Sequence, residues 1–197
     1  MSLFDILLGR QRPVKSKMEK LFAIATARVT LEVKFNAKPT GKGGICFRPV
    51  TTSYFDEAEA ELNDLLSIAT RETGTRAQSV KDTYGYRWVL LIDDDFEDLV
   101  ATFHMVSQTL QEHGFGEQLL AAVFQFVDDH QQQLYWIYNY KRGNFYPFVP
   151  LPNKARDNAY ELRLRAVMEK EMPVEAELER WYPLWDIPFN QESTRSP

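Results

Sequence analysis

Residues 95–140 read DFEDLVATFHMVSQTLQEHGFGEQLLAAVFQFVDDHQQQLYWIYNY and carry the strongest evidence for the fold class. Asp95 can cap a helix, and Gly114 favours the left-handed conformation that ends one. Between them, apolar side chains recur at helical spacing: Phe96, Leu99, Val100, Phe103, Val106 and Leu110. Two apolar segments follow, residues 119–127 and 133–140, joined by a short polar turn. The stretch therefore predicts a helix followed directly by a β-hairpin.

A second stretch with the same order lies upstream. Ser53 can cap a helix that runs to about Thr70, with a predicted buried face at Phe55, Ala58, Leu62, Leu65, Leu66 and Ala69. Residues 77–81 and 86–92 then form a second predicted hairpin. Short links between helices and hairpins predict an α+β domain, in which helices pack on an antiparallel β-sheet. The repeated order leaves open whether the chain contains two duplicated αββ units.

The flanking segments are less regular. Residues 26–35 alternate enough to predict a strand, with a continued helix as the alternative. Residues 39–44 are rich in glycine and predict a turn before a short strand over residues 45–48. Asp157 can cap a last helix, whose predicted inward side chains are Ala159, Leu162, Ala166 and Met168 or Val167. The aromatic tail over residues 181–189 is too apolar to remain in water, so we expect it to wrap around the domain.

Composition limits the classes of function. The 197 residues predict an N-terminal apolar and basic segment (residues 1–20), one α+β domain (residues 21–190) and a disordered tail (residues 191–197). A net charge of −5 argues against nucleic-acid binding. Cys46 is the only cysteine, which excludes an intramolecular disulfide and fits a cytoplasmic location. No apolar run approaches the ~20 residues that a membrane span requires.

Three polar clusters look like binding sites but lack the required pattern. The glycines of residues 39–44 do not have the order of a phosphate-binding loop. The three histidines are not at metal-ligand spacing. Residues 93–95 are aspartates that turn formation and helix capping explain. With no nucleophile and base in a recognisable pattern, we predict no metal, no cofactor and no enzymatic activity.

The N-terminus has the layout of an interfacial membrane anchor. Leu3, Phe4, Leu7 and Leu8 would form one apolar helix face, and basic residues follow from Arg10. Burying the four side chains would contribute roughly 6–10 kcal/mol. Ordering the backbone costs on the order of 8–12 kcal/mol. One copy would therefore bind a membrane only weakly, and docking on the domain's own core or on a partner is the alternative.

Residues 138–150, YNYKRGNFYPFVP, combine aromatic rings with two adjacent cations. The aromatic part can fill the core at the end of a strand, with Gly143 allowing a close backbone approach. Aromatic and arginine side chains are also typical anchors of protein interfaces. Both interpretations stay open at this point. The candidate contacts are Lys141, Arg142, Phe145, Tyr146 and Phe148.

Residues 140–148, YKRGNFYPF, followed by DNA and EL in residues 157–162, are similar to the PspAB family, the PspA-associated proteins of bacteria and archaea. Further matching stretches are LFDILLGR in residues 3–10, PTG and CFR in residues 39–48, YGY and Trp in residues 84–88, and RWYPLW in residues 180–185. The resemblance spans nearly the whole chain in the same order. Each stretch alone is weak, and the combination is specific.

The resemblance implies a cytoplasmic accessory protein of the phage-shock type of membrane-stress response. Its implied partner is PspA, a peripheral membrane protein, or another Psp component at the inner face of the cell membrane. The alternative is a chaperone-like regulator of the membrane protease HtpX. The family has no established catalytic residues, so none are transferred to this chain. The order of elements is also similar to that of secretion-chaperone-like and YbjN-like folds.

Overall fold

The computed structural model describes residues 17–50 and 53–190, so the predictions for residues 1–16 and 191–197 lie outside the described residues. The helices described are α1 (Ala23–Phe35), α2 (Ser53–Glu72), α3 (Phe96–Glu112) and α4 (Asn158–Met168). The strands described are β1 (Lys38–Phe47), β2 (Arg76–Lys81), β3 (Arg87–Ile92), β4 (Leu119–Val127), β5 (Gln133–Asn139) and β6 (Asn144–Phe148). A two-stranded ribbon, β7 (Pro150–Leu151) and β8 (Ala155–Arg156), follows.

The six main strands form one antiparallel sheet in the order β2-β3-β1-β4-β5-β6. The two predicted hairpins, β2–β3 and β4–β5, therefore lie on either side of β1. Their bounds agree with the sequence prediction to within one residue. The α+β architecture, with helices packed on an antiparallel sheet, is confirmed. Whether the two αββ units arose by duplication stays a prediction.

Helix α3 is the best-predicted element. The Asp95 carboxylate accepts hydrogen bonds from the backbone N–H groups of Glu97 (2.8 Å) and Asp98 (3.3 Å), and the predicted apolar face is buried. Gly114 has a φ of +82°, the left-handed conformation expected beyond the helix end. The capping residue and the spacing of the apolar residues both indicate the same helix, and the prediction of α3 is confirmed.

Residues 26–35 are helical, so the strand predicted for them is wrong. The buried residues of α1 are Ile24, Ala27 and Leu31, which follow a helical period, while Val29 and Val33 are exposed. The preference of valine for strands depends on its surroundings, and burial of a helical apolar stripe outweighs it here. The helix ends at Asn36, whose φ is +50°.

The turn predicted over residues 39–44 is also wrong, because these residues lie inside strand β1. A Cβ atom at Gly43 would lie 2.5 Å from the Phe103 ring, so glycine allows α3 to pack directly on the strand. Gly41 has a φ of +73° and lies where the pairing of β1 with β4 shifts register. Gly43 thus allows a close contact between the strand and α3, and Gly41 allows a bulge in the strand.

Helix α4 buries a different face from the predicted one. Ala159, Leu162 and Ala166 are exposed, and the buried residues are Tyr160, Glu161, Leu164 and Met168. Only Met168 of the predicted inward residues is buried, with Val167 intermediate. The buried face differs because it includes Glu161, whose carboxylate pairs with Arg156 at 2.9 Å. A pattern of apolar residues does not reveal a buried carboxylate.

The sheet has apolar residues on both faces. On β5, Leu134, Trp136 and Tyr138 belong to the core on the helix side, and Tyr135 and Ile137 belong to a second cluster on the opposite face. This second cluster is covered by residues 173–190, which we call the C-terminal strap.

Aromatic contacts fix the strap on the sheet. The ring centroid of Trp185 lies 5.0 Å from that of Phe148, and the centroid of Phe189 lies 6.1 Å from that of Tyr135. The prediction that the aromatic tail wraps around the domain is confirmed.

Candidate partner-binding groove

The turn between β5 and β6 presents Lys141 and Arg142 to solvent. The backbone N–H of Gly143 donates to the Asn139 carbonyl at 2.7 Å, and the N–H of Arg142 donates to the Asn139 carbonyl and side-chain oxygens, both at 3.2 Å. Gly143 has a φ of +73°, which favours glycine at this position. The sequence Lys-Arg-Gly is therefore a hairpin turn with two exposed cations.

Lys17, where the description of the chain begins, packs against this turn. Its ammonium group donates to the Lys141 carbonyl at 2.7 Å, and its own carbonyl accepts a hydrogen bond from the Tyr138 hydroxyl. A Cβ atom at Gly143 would lie 3.1 Å from the Lys17 side chain. The described part of the chain thus begins beside the Lys141–Arg142 turn.

The three rings predicted as contacts are core residues. Phe145 and Phe148 are fully buried, and Tyr146 is 3% exposed. The Tyr146 hydroxyl donates to the Tyr182 carbonyl of the strap at 3.1 Å. The aromatic part of the segment therefore fills the core, as one of the two interpretations expects, and Tyr146 also lines the groove beside the turn. A partner contact through these three rings stays a prediction. A partner-contact role for Lys141 and Arg142 stays a prediction.

A buried acid lies beneath the turn. The Glu175 side chain, in the strap, is 7% exposed and lies 3.9 Å from Arg142 and 3.7 Å from Arg180. One of its carboxylate oxygens has no hydrogen-bond partner within residues 17–50 and 53–190. Arg142 therefore has a partner of its own, whereas Lys141 forms no ion pair with any described residue.

A groove of about 1140 Å³ opens beside the turn. Its charged lining residues are Lys17, Arg48, Glu117, Lys141 and Arg142. Much of the apolar lining comes from the first residues of strand β4, Leu119, Leu120 and Ala121. The strap forms another wall. Among the described residues that line the groove, four are cations and one is a carboxylate, and Glu175 beneath the turn pairs with Arg142. The described lining therefore keeps a net positive charge, although the protein as a whole has a net charge of −5.

Tyrosine hydroxyls near the groove are neutral. The Tyr140 hydroxyl donates to Ser107 Oγ, which itself donates to the Phe103 carbonyl at 2.7 Å. Burial raises the pKa of Tyr138, Tyr140 and Tyr146 above the ordinary tyrosine value. These groups act as hydrogen-bonding side chains, and the charge of the groove comes from its lysines and arginines.

Two groove residues were missed by sequence reasoning, Lys17 and Arg48. Arg48 follows β1, and its backbone N–H donates to the Gln118 carbonyl at 2.9 Å, beside the start of β4. Only the pairing of β1 with β4 brings Arg48 to this edge of the sheet, and the sequence carries no signal for that pairing. The candidate contacts Leu3, Phe4, Leu7, Leu8 and Arg10 lie outside the described residues and stay predictions.

The predicted polar clusters have structural partners. His113 lies 2.7 Å from Glu61, and Asp93 accepts the backbone N–H of Asp95 at 2.9 Å. In the part of the chain that the structure describes, no three His, Cys, Asp or Glu side chains are placed to hold a metal ion. None of the helices described is both long and apolar enough to cross a bilayer.

Comparison with known proteins identifies a family. The family model described as PspAB, PspA associated protein B, matches residues 1–189, nearly the whole chain. No curated protein and no solved structure matches the chain. The likeness to secretion-chaperone-like and YbjN-like folds therefore stays a prediction.

Proposed function

Since the chain belongs to the PspAB family of PspA-associated proteins, we propose that it is a non-catalytic adaptor of a phage-shock-type membrane-stress response. It binds PspA or another Psp component through the groove beside the Lys141–Arg142 turn. It acts in the cytoplasm at the inner face of the cell membrane, where residues 3–8 add a weak contact with lipid or with the partner.

The observation that carries this proposal is the contact of Lys17 with the Lys141–Arg142 turn. Leu8 precedes Lys17 by nine residues, and an extended chain spans at most about 3.6 Å per residue. In any conformation Leu8 thus lies within about 32 Å of Lys17, and Leu3 within about 50 Å. Both predicted contact segments can therefore act on one partner.

The chemistry of the groove supports binding. Cations dominate its charged lining, and the tyrosines beside it are neutral and hydrogen-bonded. Cys46 is buried in the sheet, and burial raises its pKa to about 12, so the thiol is not a ready nucleophile. Such a lining is suited to holding anionic groups of a partner.

A pull-down from membrane-stressed cells tests the proposal. Tagged wild-type protein should recover PspA, and both Lys141→Ala and deletion of residues 1–10 should reduce the recovery severalfold. Lys170→Ala, an exposed lysine outside the groove, is the matched control. Parallel pull-downs with detergent-solubilised HtpX separate an adaptor of PspA from a regulator of the protease.

The surface assignment has its own control. Val29 and Val33 are 58% and 71% exposed on α1, a surface distinct from the groove lining. If Val29→Ser with Val33→Ser abolishes recovery while Lys141→Ala does not, the binding surface is on α1. Failure of the wild-type protein to recover PspA would refute the adaptor function itself.

A further inference from the structure

We infer that the groove holds an acidic, amphipathic segment of PspA, in which Asp or Glu side chains alternate with aliphatic ones. The inference rests on the proposed function and specifies the chemistry of the partner. It assigns Arg48 and Lys141 as the residues that pair with the carboxylates.

The groove carries positive charge that the described carboxylates do not fully neutralise. Arg48 and Lys141 are exposed, line the same groove, and form no ion pair with a carboxylate of residues 17–50 or 53–190. The Lys17 ammonium donates to a backbone carbonyl, which leaves its charge uncompensated. Among the described residues that line the groove, Glu117 is the one acidic residue. An entering carboxylate would form charge-assisted hydrogen bonds that no described residue supplies.

The groove is large enough to hold a polypeptide segment, since its volume is about 1140 Å³. A bilayer surface is flat on this scale and would contact only the rim of a groove. A polypeptide segment can follow the groove and place aliphatic side chains on its apolar lining, which includes Leu119, Leu120 and Leu184. The shape therefore favours a protein segment over a membrane surface.

The basic residues near the chain's own N-terminus do not suit a cationic groove. Residues 10–17 contain Arg10, Arg12, Lys15 and Lys17 and no acidic residue. Like charges repel at short range, so this basic stretch is a poor occupant of a cationic groove. Its positive charge increases the attraction for an acidic partner.

Titration of purified PspA into the full-length protein, measured by calorimetry, tests the inference. Arg48→Glu with Lys141→Glu should weaken the affinity about tenfold, because each exposed ion pair is worth up to a few-fold and reversal replaces attraction by repulsion. Lys34→Glu with Lys170→Glu changes the net charge equally at exposed positions outside the groove and should change the affinity less than twofold. The wild-type affinity should also fall as sodium chloride is raised from 50 to 500 mM.

Each other outcome has a definite meaning. If wild type binds PspA and both double variants bind equally well, the groove assignment is wrong and the adaptor function stands. If wild type does not bind PspA, the proposed function fails, and the inference that rests on it fails too. If deletion of residues 1–10 strengthens binding, the groove is occupied by the chain's own N-terminus.

A vesicle experiment covers the remaining possibility. Sedimentation with phosphatidylglycerol–phosphatidylcholine vesicles measures membrane binding by the same variants. If the groove double variant loses vesicle binding and keeps PspA binding, the groove recognises lipid headgroups, and the inference is overturned.

Discussion

The ion pair between Arg156 and Glu161 is the contact whose removal we expect to cost most. The Glu161 side chain is 2% exposed; it accepts the Val149 backbone N–H at 2.8 Å and faces two guanidinium nitrogens of Arg156 at 2.9–3.0 Å. Arg156 in turn donates to the Trp181 carbonyl at 2.7 Å and lies over the Phe148 ring. The pair therefore joins β8, α4 and the strap that forms one wall of the groove.

Glu161→Ala should lower the free energy of unfolding by about 3 kcal/mol. Breaking a buried ion pair typically costs about 3–5 kcal/mol, because the remaining charge loses its partner. The lower end applies, since the Arg156 side chain is 19% exposed and keeps its bond to Trp181. With a urea m-value of about 2–3 kcal/mol/M, the unfolding midpoint should fall by about 1–1.5 M.

Urea unfolding followed by circular dichroism measures this change. Glu171→Ala removes an exposed carboxylate just beyond α4 and should change the stability by no more than about 0.5 kcal/mol. Limited proteolysis should also cleave the strap faster in Glu161→Ala than in the control. Equal midpoints for the two variants would refute the role assigned to the ion pair.

Three further predictions concern the core. Cys46 should react with iodoacetamide at pH 8 only after unfolding, because burial raises its pKa to about 12; rapid stoichiometric labelling of the folded protein would contradict this. Trp136→Phe should cost less than about 1 kcal/mol in urea unfolding, because the buried indole N–H has no hydrogen-bond partner within residues 17–50 and 53–190, and a loss above 3 kcal/mol would disprove the reasoning. Gly43→Ala should cost about 1–3 kcal/mol by thermal unfolding through contact with Phe103, and Phe103→Leu should recover part of it; an unchanged melting temperature would show that the strand and α3 separate freely.

The elements that can be predicted from the sequence are those in which the spacing of apolar residues and the residues at the two ends indicate the same structure. Helix α3 has an aspartate cap, a helical apolar period and a terminal glycine. Strands β3, β4 and β5 of the two hairpins alternate between two buried faces of the sheet. Helix α1 was misjudged because apolar residues at alternate positions, Val29, Leu31, Val33 and Phe35, imitate a strand. Helix α4 was misjudged because a buried glutamate counts as polar in any pattern.

The groove is a product of topology. Arg48, Glu117 and Lys141 are far apart in sequence, and they meet because β1 pairs with β4 and β4 pairs with β5. Lys17 joins them through its hydrogen bonds with Lys141 and Tyr138. The sequence shows that the turn contains two cations, but it does not show which other residues lie beside them in the groove. The same pattern does not show that Tyr146 and Phe148 are buried, since that depends on the strap covering the second face of the sheet.

Photo-crosslinking in living cells provides a direct test of the binding groove. A benzoylphenylalanine in place of Gln111, an exposed groove residue, should crosslink to PspA in membrane-stressed cells. The same replacement at Gln78, exposed on the edge strand β2 and outside the groove, should not. Crosslinks to PspA from Gln78 with none from Gln111 would contradict the assignment of the groove as the PspA-binding site.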